Sequence, residues 1–182
     1  MAIPVLAAVR SLVLSPSAFD PNITALHWPA QPAAPLLLIG KSTTPLHHIT
    51  LFSRSLHPSN IVGTASFPKR STAQITLRGT PIQMHMNPWS TQCKVDAGHM
   101  GVFTFQQDGQ MGSEALDMFD AGGTKLARID RAGKHVKRLD VFQHFDGNFF
   151  EMVVLTALAA WTIHKELDKA VLKGVGEAIF SL

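Results

Sequence analysis

The sequence predicts a mainly β protein with one central α-helix, in which a closed or nearly closed antiparallel barrel surrounds a buried C-terminal hydrophobic helix. Two observations predict this fold. Residues 149–163 would be apolar on every side of a helix, and residues 36–145 consist of short apolar segments separated by turn residues. A sheet with one apolar face must cover something, and a helix that is apolar all round must be covered. Strands curled around the helix satisfy both requirements.

The predicted central helix spans residues 149–165. The core of this segment contains no Gly or Pro, and Glu151 is its single charge before Lys165. The uncharged run after Glu151 is well short of the ~20 residues that span a bilayer, so the helix is expected inside its own domain. Asn148 is the expected N-cap, with the Glu151 carboxylate reaching back to free backbone N–H groups.

Two other architectures are compatible with part of this pattern. In a β-sandwich with a helix packed on one end, part of an all-apolar helix would remain exposed. A helical hairpin dipping into a membrane would leave the apolar faces of the strands unexplained. The barrel accounts for both features and is therefore preferred.

The strands are predicted from alternation with period two. Ile82, Met84 and Met86 alternate with Gln83 and His85, and the pairs Ile75/Leu77 and Phe103/Phe105 repeat the pattern. Turn residues separate the segments: Gly79-Thr80-Pro81, Asp108-Gly109, Gly122-Gly123 and Ala132-Gly133. Their spacing predicts an antiparallel meander within a barrel domain of residues 36–166.

The two ends of the chain are expected to lie outside this barrel. Residues 1–35 contain six prolines, which predicts an extended arm that is packed locally or partly disordered. Residues 167–182 form an apolar tail, which either docks back onto the domain or contacts a membrane or partner.

Composition limits the function classes. The 182 residues carry a net charge of only +3, with no long basic stripe or nucleic-acid-binding motif, so nucleic acid is not an expected partner. Cys93 is the only cysteine, which excludes an internal disulfide and a cysteine-based zinc site. We expect an intracellular, cytoplasmic protein with peripheral membrane association. Residues 1–10 resemble a signal sequence only superficially, since they lack a positive n-region, and a mitochondrial presequence remains an alternative.

An ordered series of short motifs resembles the tubby C-terminal-like superfamily, which includes the LURP-one-related proteins and the phospholipid scramblases. The likeness covers about residues 80–166 and lies in these segments: Gly101-Val102-Phe103-Thr104-Phe105, Glu114-Ala115-Leu116-Asp117-Met118-Phe119, Lys125-Leu126-Ala127-Arg128-Ile129, Leu139-Asp140-Val141, and Phe150-Glu151-Met152-Val153-Val154-Leu155-Thr156-Ala157-Leu158. The resemblance implies an antiparallel barrel threaded by a C-terminal helix. Tubby binds phosphoinositides through basic side chains, but no charged motif here matches that site, so the resemblance assigns no lipid-binding residue.

Basic residues supply the candidate binding site. The densest cluster contains Arg128, Arg131, Lys134, His135, Lys137 and Arg138, with Asp130 inside it. If residues 130–136 form a hairpin loop, these side chains converge at one rim and can hold a phosphorylated headgroup. Lys69 and Arg70, with Arg78, form a second candidate. The alternative is a solvated hairpin whose charges only maintain solubility.

Catalysis and metal binding find no support in the sequence. The nine histidines show no ligand spacing, and the adjacent His47 and His48 would point to opposite faces of a strand. There is no Gly-x-Ser-x-Gly elbow, and Gly122-Gly123-Thr124-Lys125 lacks the first glycine of a phosphate-binding loop. No enzyme activity, metal or cofactor is therefore predicted.

The resulting hypothesis is a non-enzymatic binding module that contacts anionic phospholipid headgroups through a basic rim. Its expected partner is an anionic membrane surface or a phosphoinositide. The alternative hypothesis is a soluble structural or protein-interaction domain with an unknown partner and no lipid binding.

Overall fold

The computed structural model describes residues 8–17, 20, 22–42, 48–87, 90, 92–108 and 114–179, with side chains as far as Asp168. The described residues form twelve strands followed by one α-helix. The strands are β1 (Arg10–Pro16), β2 (Ile23–His27), β3 (Leu37–Ser42), β4 (His48–Phe52), β5 (Ile61–Lys69), β6 (Thr72–Leu77), β7 (Thr80–Asn87), β8 (Gln92–Asp96), β9 (Val102–Gln107), β10 (Leu116–Asp120), β11 (Lys125–Arg131) and β12 (Lys137–Val141). The helix α1 is Gly147–Ile179.

The strands form a closed antiparallel barrel, which confirms the predicted fold class. Every strand pairs with its neighbour in sequence, and β1 pairs with β12 to close the circle, with Leu12 opposite Leu139. The upper rim is the end that holds the β5–β6 and β11–β12 connections and the C-terminal half of α1. The lower rim is the opposite end, with the β6–β7 turn and the start of α1.

Alternation along the strands places apolar side chains inside the barrel. On β7, Ile82, Met84 and Met86 are at most 2% exposed, whereas Gln83 and His85 between them are exposed. Arg78 and Gly79 connect β6 to β7 with φ values of 47° and 81°, as a two-residue hairpin with positive φ at both positions requires. The predicted meander is therefore observed. Gly109, in the predicted turn after Asp108, lies outside the described residues.

The helix lies inside the barrel and is buried on every side. From Glu151 to His164 all residues except Thr162 are buried, and Met152, Val153, Leu155 and Ala159 have no exposed surface. α1 contacts β4 to β7 on one side and β10 and β11 on another. This arrangement confirms the predicted enclosure of the apolar segment. Among the described residues, no helix combines the length and apolar character needed to cross a membrane.

The start of the helix differs from the prediction. Oδ1 of Asp146 accepts a hydrogen bond of 2.8 Å from the backbone N–H of Phe149, so Asp146 and not Asn148 caps α1. Glu151 lies two residues beyond the N3 position, Phe149, from which a carboxylate could reach back to the cap. Its carboxylate instead accepts two hydrogen bonds of 2.8 Å from the guanidinium of Arg78 at the lower rim.

The predicted boundary between helix and tail at residue 166 is also wrong, because α1 continues to Ile179. Gly174 and Gly176 each cost about 1 kcal/mol relative to alanine, which does not end a helix that the barrel has already nucleated. Residues 180–182 and the side chains beyond Asp168 lie outside the described part of the chain. The docking of the tail therefore stays a prediction.

The interpretation of residues 1–35 as an arm is wrong for β1 and β2, which are part of the barrel wall. Leu12, Leu14 and Leu26 are at most 1% exposed and belong to the core. The prolines do not interrupt these strands, because Pro16 ends β1 and the last three lie in the connection of residues 28–36. Residues 1–7, with the first proline, lie outside the described residues.

Candidate functional site

The predicted basic cluster lies on the hairpin of β11 and β12, whose connection is residues 132–136. Arg131 pairs with Lys137 in register, and Asp130 pairs with Arg138. Because side chains alternate along a strand, Arg131 and Lys137 occupy interior-facing positions at the upper rim. Arg128 and Arg138 have the opposite parity and occupy the outer wall. The structure thus divides the predicted cluster into two groups.

The outer arginines are already paired with carboxylates. Arg128 forms an ion pair with Asp108 and approaches Asp117 at 3.4 Å and Asp130 at 4.0 Å. Burial alone would lower the pKa of Arg128, but its hydrogen bond to Asp108 and the nearby acidic charges raise it. Arg138 pairs with Asp140 at 3.0 Å. Arg128 thus links β11 to β10 and to Asp108 after β9, whereas Arg138 pairs within β12, and neither lines the cavity at the rim.

The remaining members of the cluster line an open cavity at the upper rim, which we call the rim pocket. Its volume is about 220 Å³. Four of its side chains are cationic and one is a carboxylate. The lining residues are Glu114, Arg131, Gly133, Lys134, His135, Val136, Lys137, Trp161 and Lys165.

The helix supplies two of these residues. Trp161 and Lys165 are one turn apart and therefore share a face of α1. The ammonium of Lys137 lies 5.5 Å from the ring centroid of Trp161, and that of Lys165 lies 5.7 Å from it. Both distances are within the range of a cation–π contact. One aromatic ring thus holds two ammonium groups next to the same cavity.

Positive side chains repel one another in the rim pocket. Burial, followed by the positive charges of Lys41 and Lys165, lowers the pKa of Lys137 to about 8. Arg131 lies directly opposite Lys137, and like charges at such positions destabilise a sheet. Glu114 offsets part of this repulsion through ion pairs with Lys165 and, at 3.6 Å, with Arg131. The pocket keeps an excess of positive charge.

Lys69 and Arg70 lie at the same rim but line a different cavity. Lys69 ends β5, Arg70 begins the β5–β6 connection, and both border a space of about 380 Å³. The helix face in this cavity carries Thr162 and Glu166 rather than Trp161 and Lys165. The third predicted basic residue of this group, Arg78, lies at the lower rim with Glu151. The upper rim therefore carries two separate basic cavities.

Other reactive side chains do not form a second centre in the described part of the chain. Within those residues, no three His, Cys, Asp or Glu side chains are placed to hold a metal ion. His135 lines the rim pocket, and His47 lies outside the described residues. Cys93 is buried inside the barrel, and this burial raises its pKa to about 12, which keeps the thiol protonated.

Sequence reasoning missed Glu114, Trp161 and Lys165 as members of this site. The four-residue spacing of Trp161 and Lys165 indicates a shared helix face, but not which strands that face meets. Comparisons with protein-family models, curated proteins and solved structures found no match to this chain. The function must therefore be inferred from the residues themselves.

Proposed function

We propose that this protein is a non-enzymatic binding module that holds the phosphorylated headgroup of an anionic lipid in the rim pocket. One observation carries the proposal: Arg131, Lys134, Lys137 and Lys165 line a single cavity that contains one carboxylate, Glu114. Guanidinium and ammonium groups are the side chains that bind phosphate oxygens most strongly, through charge-assisted hydrogen bonds.

The cost of assembling these charges supports an anionic ligand. Arg131 and Lys137 repel each other across the hairpin, and burial disfavours the charged form of Lys137. A bound phosphate would neutralise both groups and remove the repulsion. Without an anion, the lining of the pocket carries four cationic side chains and one carboxylate.

The position of the pocket supports contact with a membrane surface. It lies at one end of the barrel, and Lys69 and Arg70 are exposed at the same end. An upper rim facing an anionic bilayer would bring both basic groups close to lipid headgroups. Each basic residue near such a surface contributes about 1 kcal/mol. Lys69 and Arg70 are thus proposed as a second, weaker lipid contact.

We also propose membership of the tubby C-terminal-like superfamily. Support comes from the sequence resemblance together with a closed antiparallel barrel that encloses an apolar helix. The two proposals are separable, because the basic pocket is argued from this chain's own residues.

Vesicle flotation tests the lipid proposal. The protein is mixed with vesicles of phosphatidylcholine alone, or with added phosphatidylserine or phosphoinositide. Recovery is expected only with anionic vesicles, and it should fall as salt is raised. Lys134→Glu is expected to weaken binding by about 1–2 kcal/mol, or roughly 5- to 30-fold. Lys94→Glu is the matched control, since exposed Lys94 lies on the outer wall of β8 and gives the same change in net charge.

Three results would contradict the proposal: equal recovery on neutral and anionic vesicles, no recovery on either, or equal losses for the two variants. Absence of binding to every vesicle would favour the alternative of a protein-interaction domain.

A further inference from the structure

Lys137 differs from its neighbour Lys134 in how the fold surrounds it. Lys134 is exposed in the β11–β12 connection, whereas Lys137 is partly buried at an interior-facing position. The Lys137 ammonium rests over the Trp161 ring at 5.5 Å and borders the open rim pocket. Lys137 therefore combines shelter from water with access for a small molecule.

Cationic groups face Lys137 from several elements of the fold. Lys41 is on β3, Arg131 on β11 and Lys165 on α1, and their charges all act on the Lys137 ammonium. Within the described residues, Glu114 is the acid that acts on it in the opposite direction, and its carboxylate is already paired with Lys165 and Arg131. Lys134 adds a further positive charge from the hairpin connection, where His135 also lines the pocket.

This environment favours the neutral amine. Burial and the surrounding cations bring the pKa of Lys137 to about 8. Roughly a tenth of such amines carry a free lone pair at pH 7, against well under a thousandth for a lysine of ordinary pKa. Desolvation next to other cations is the means by which proteins activate lysine as a nucleophile.

We propose that the amine of Lys137 is a carbonyl-reactive group that forms a reversible imine with an aldehyde bearing a phosphate. The amine lone pair attacks the carbonyl carbon, a C–N bond forms as the C=O π bond breaks, and one proton moves from the nitrogen to the oxygen to give a carbinolamine. Loss of one water molecule then leaves the C=N bond. The step needs no oxidant or reductant, and hydrolysis of the imine reverses it.

The phosphate on the aldehyde is the part of this inference that rests on the proposed function. Lys134, Arg131 and Lys165 line the pocket beside Lys137 and would hold the phosphate. Trp161 also lines the pocket and holds the Lys137 ammonium over its ring at 5.5 Å. The reactivity of the amine itself depends on burial and neighbouring charge, whether or not the protein binds lipid.

Reductive trapping tests the inference on the full chain. The protein is incubated at pH 7.5 with pyridoxal 5′-phosphate and cyanoborohydride, and the labelled lysines are identified by peptide mass spectrometry. Lys137 is expected to be labelled at least tenfold faster than Lys134. Its rate should rise to half its maximum near pH 8. Even labelling of all exposed lysines, or labelling that leaves Lys137 unmodified, would overturn the inference.

Variants and a second probe separate the two parts of the proposal. Lys137→Arg should remove the fast-labelled site, and Lys94→Arg should leave the rate at Lys137 unchanged. Pyridoxal, which lacks the phosphate, should label Lys137 at least fivefold more slowly. Fast and equal labelling by both aldehydes would support the reactive amine and contradict the phosphate preference. If Lys137→Arg fails to fold, the comparison of Lys137 with Lys134 in the unaltered protein still decides the result.

Discussion

Lys137 makes the stability of the protein depend on pH in a particular direction. Its pKa is about 8 in the folded protein, mainly because of burial, against 10.5 for an ordinary lysine. Below pH 8 both the folded and unfolded states hold the proton, so the full cost of burying the charge is present. Between these two pKa values the unfolded state binds more protons, so this residue's contribution to stability rises with pH.

We expect this dependence to disappear when the amine is removed. The free energy of unfolding of the protein and of Lys137→Met would be measured by urea denaturation at pH 7 and pH 9.5. The free energy of unfolding of the unaltered protein, relative to that of Lys137→Met, should be higher at pH 9.5 than at pH 7. A difference that is the same at both values would show that Lys137 titrates normally.

At the scale of single residues, the sequence predicted the β11–β12 hairpin and its basic side chains. It did not predict which side chains contact them. Ala132-Gly133 marks the connection, and the positions of Lys134 and Lys137 follow from it. The pairing of Arg128 with Asp108 depends on how β9, β10 and β11 are aligned, which local patterns do not reveal. Trp161 was missed for a different reason. A helix that is apolar all round has no stripe to show how it is rotated inside the barrel.

At the scale of elements, Gly63 on β5 is a position where the helix and the wall of the barrel meet closely. A Cβ atom at this position would lie 2.7 Å from Cδ2 of Leu155 and 3.0 Å from the backbone oxygen of Thr76. The first contact is closer than real Cβ atoms show, and the backbone oxygen of β6 limits how far the chain can shift. Gly63 therefore allows α1 to pack directly against the β5–β6 backbone.

Gly63→Ala is expected to destabilise the protein by about 1–3 kcal/mol, because it overpacks the contact between β5 and α1. Gly147→Ala is the control, since a Cβ atom at the first residue of α1 meets nothing within 4 Å. Thermal or urea unfolding would measure both. Combining Gly63→Ala with Leu155→Val should recover part of the loss. A Gly63→Ala protein as stable as the Gly147→Ala protein would contradict the close contact.

At the scale of the whole molecule, the barrel depends on its first strand. β1 pairs with both β2 and β12, so removing it would leave two unpaired strand edges and expose the interior side chains of its neighbours. The fold class could be predicted because an apolar sheet face and an all-apolar helix each require the other. Strands β1 and β2 could not be predicted, because their short alternating patterns lie among prolines, which are typical of irregular structure.

Deletion of residues 1–35 distinguishes an arm outside the domain from a barrel wall that includes β1 and β2. An arm outside the domain predicts a fragment that unfolds cooperatively like the full chain. The observed barrel predicts that the fragment loses cooperative unfolding and associates through its free edges, because Leu12, Leu14 and Leu26 are lost from the core. Calorimetry and size-exclusion chromatography would measure these outcomes. A monomeric fragment with a sharp unfolding transition would contradict closure by β1.

The chain order of these elements has a consequence for protein synthesis. All twelve strands precede α1, so their inward-facing side chains leave the ribosome before the helix that fills the barrel exists. At about 5–20 residues per second, the interval between the first strand and the helix lasts many seconds. During that time the apolar segments of the nascent chain are exposed to solvent and prone to aggregation. We expect molecular chaperones to determine how much of this protein reaches its native state in cells.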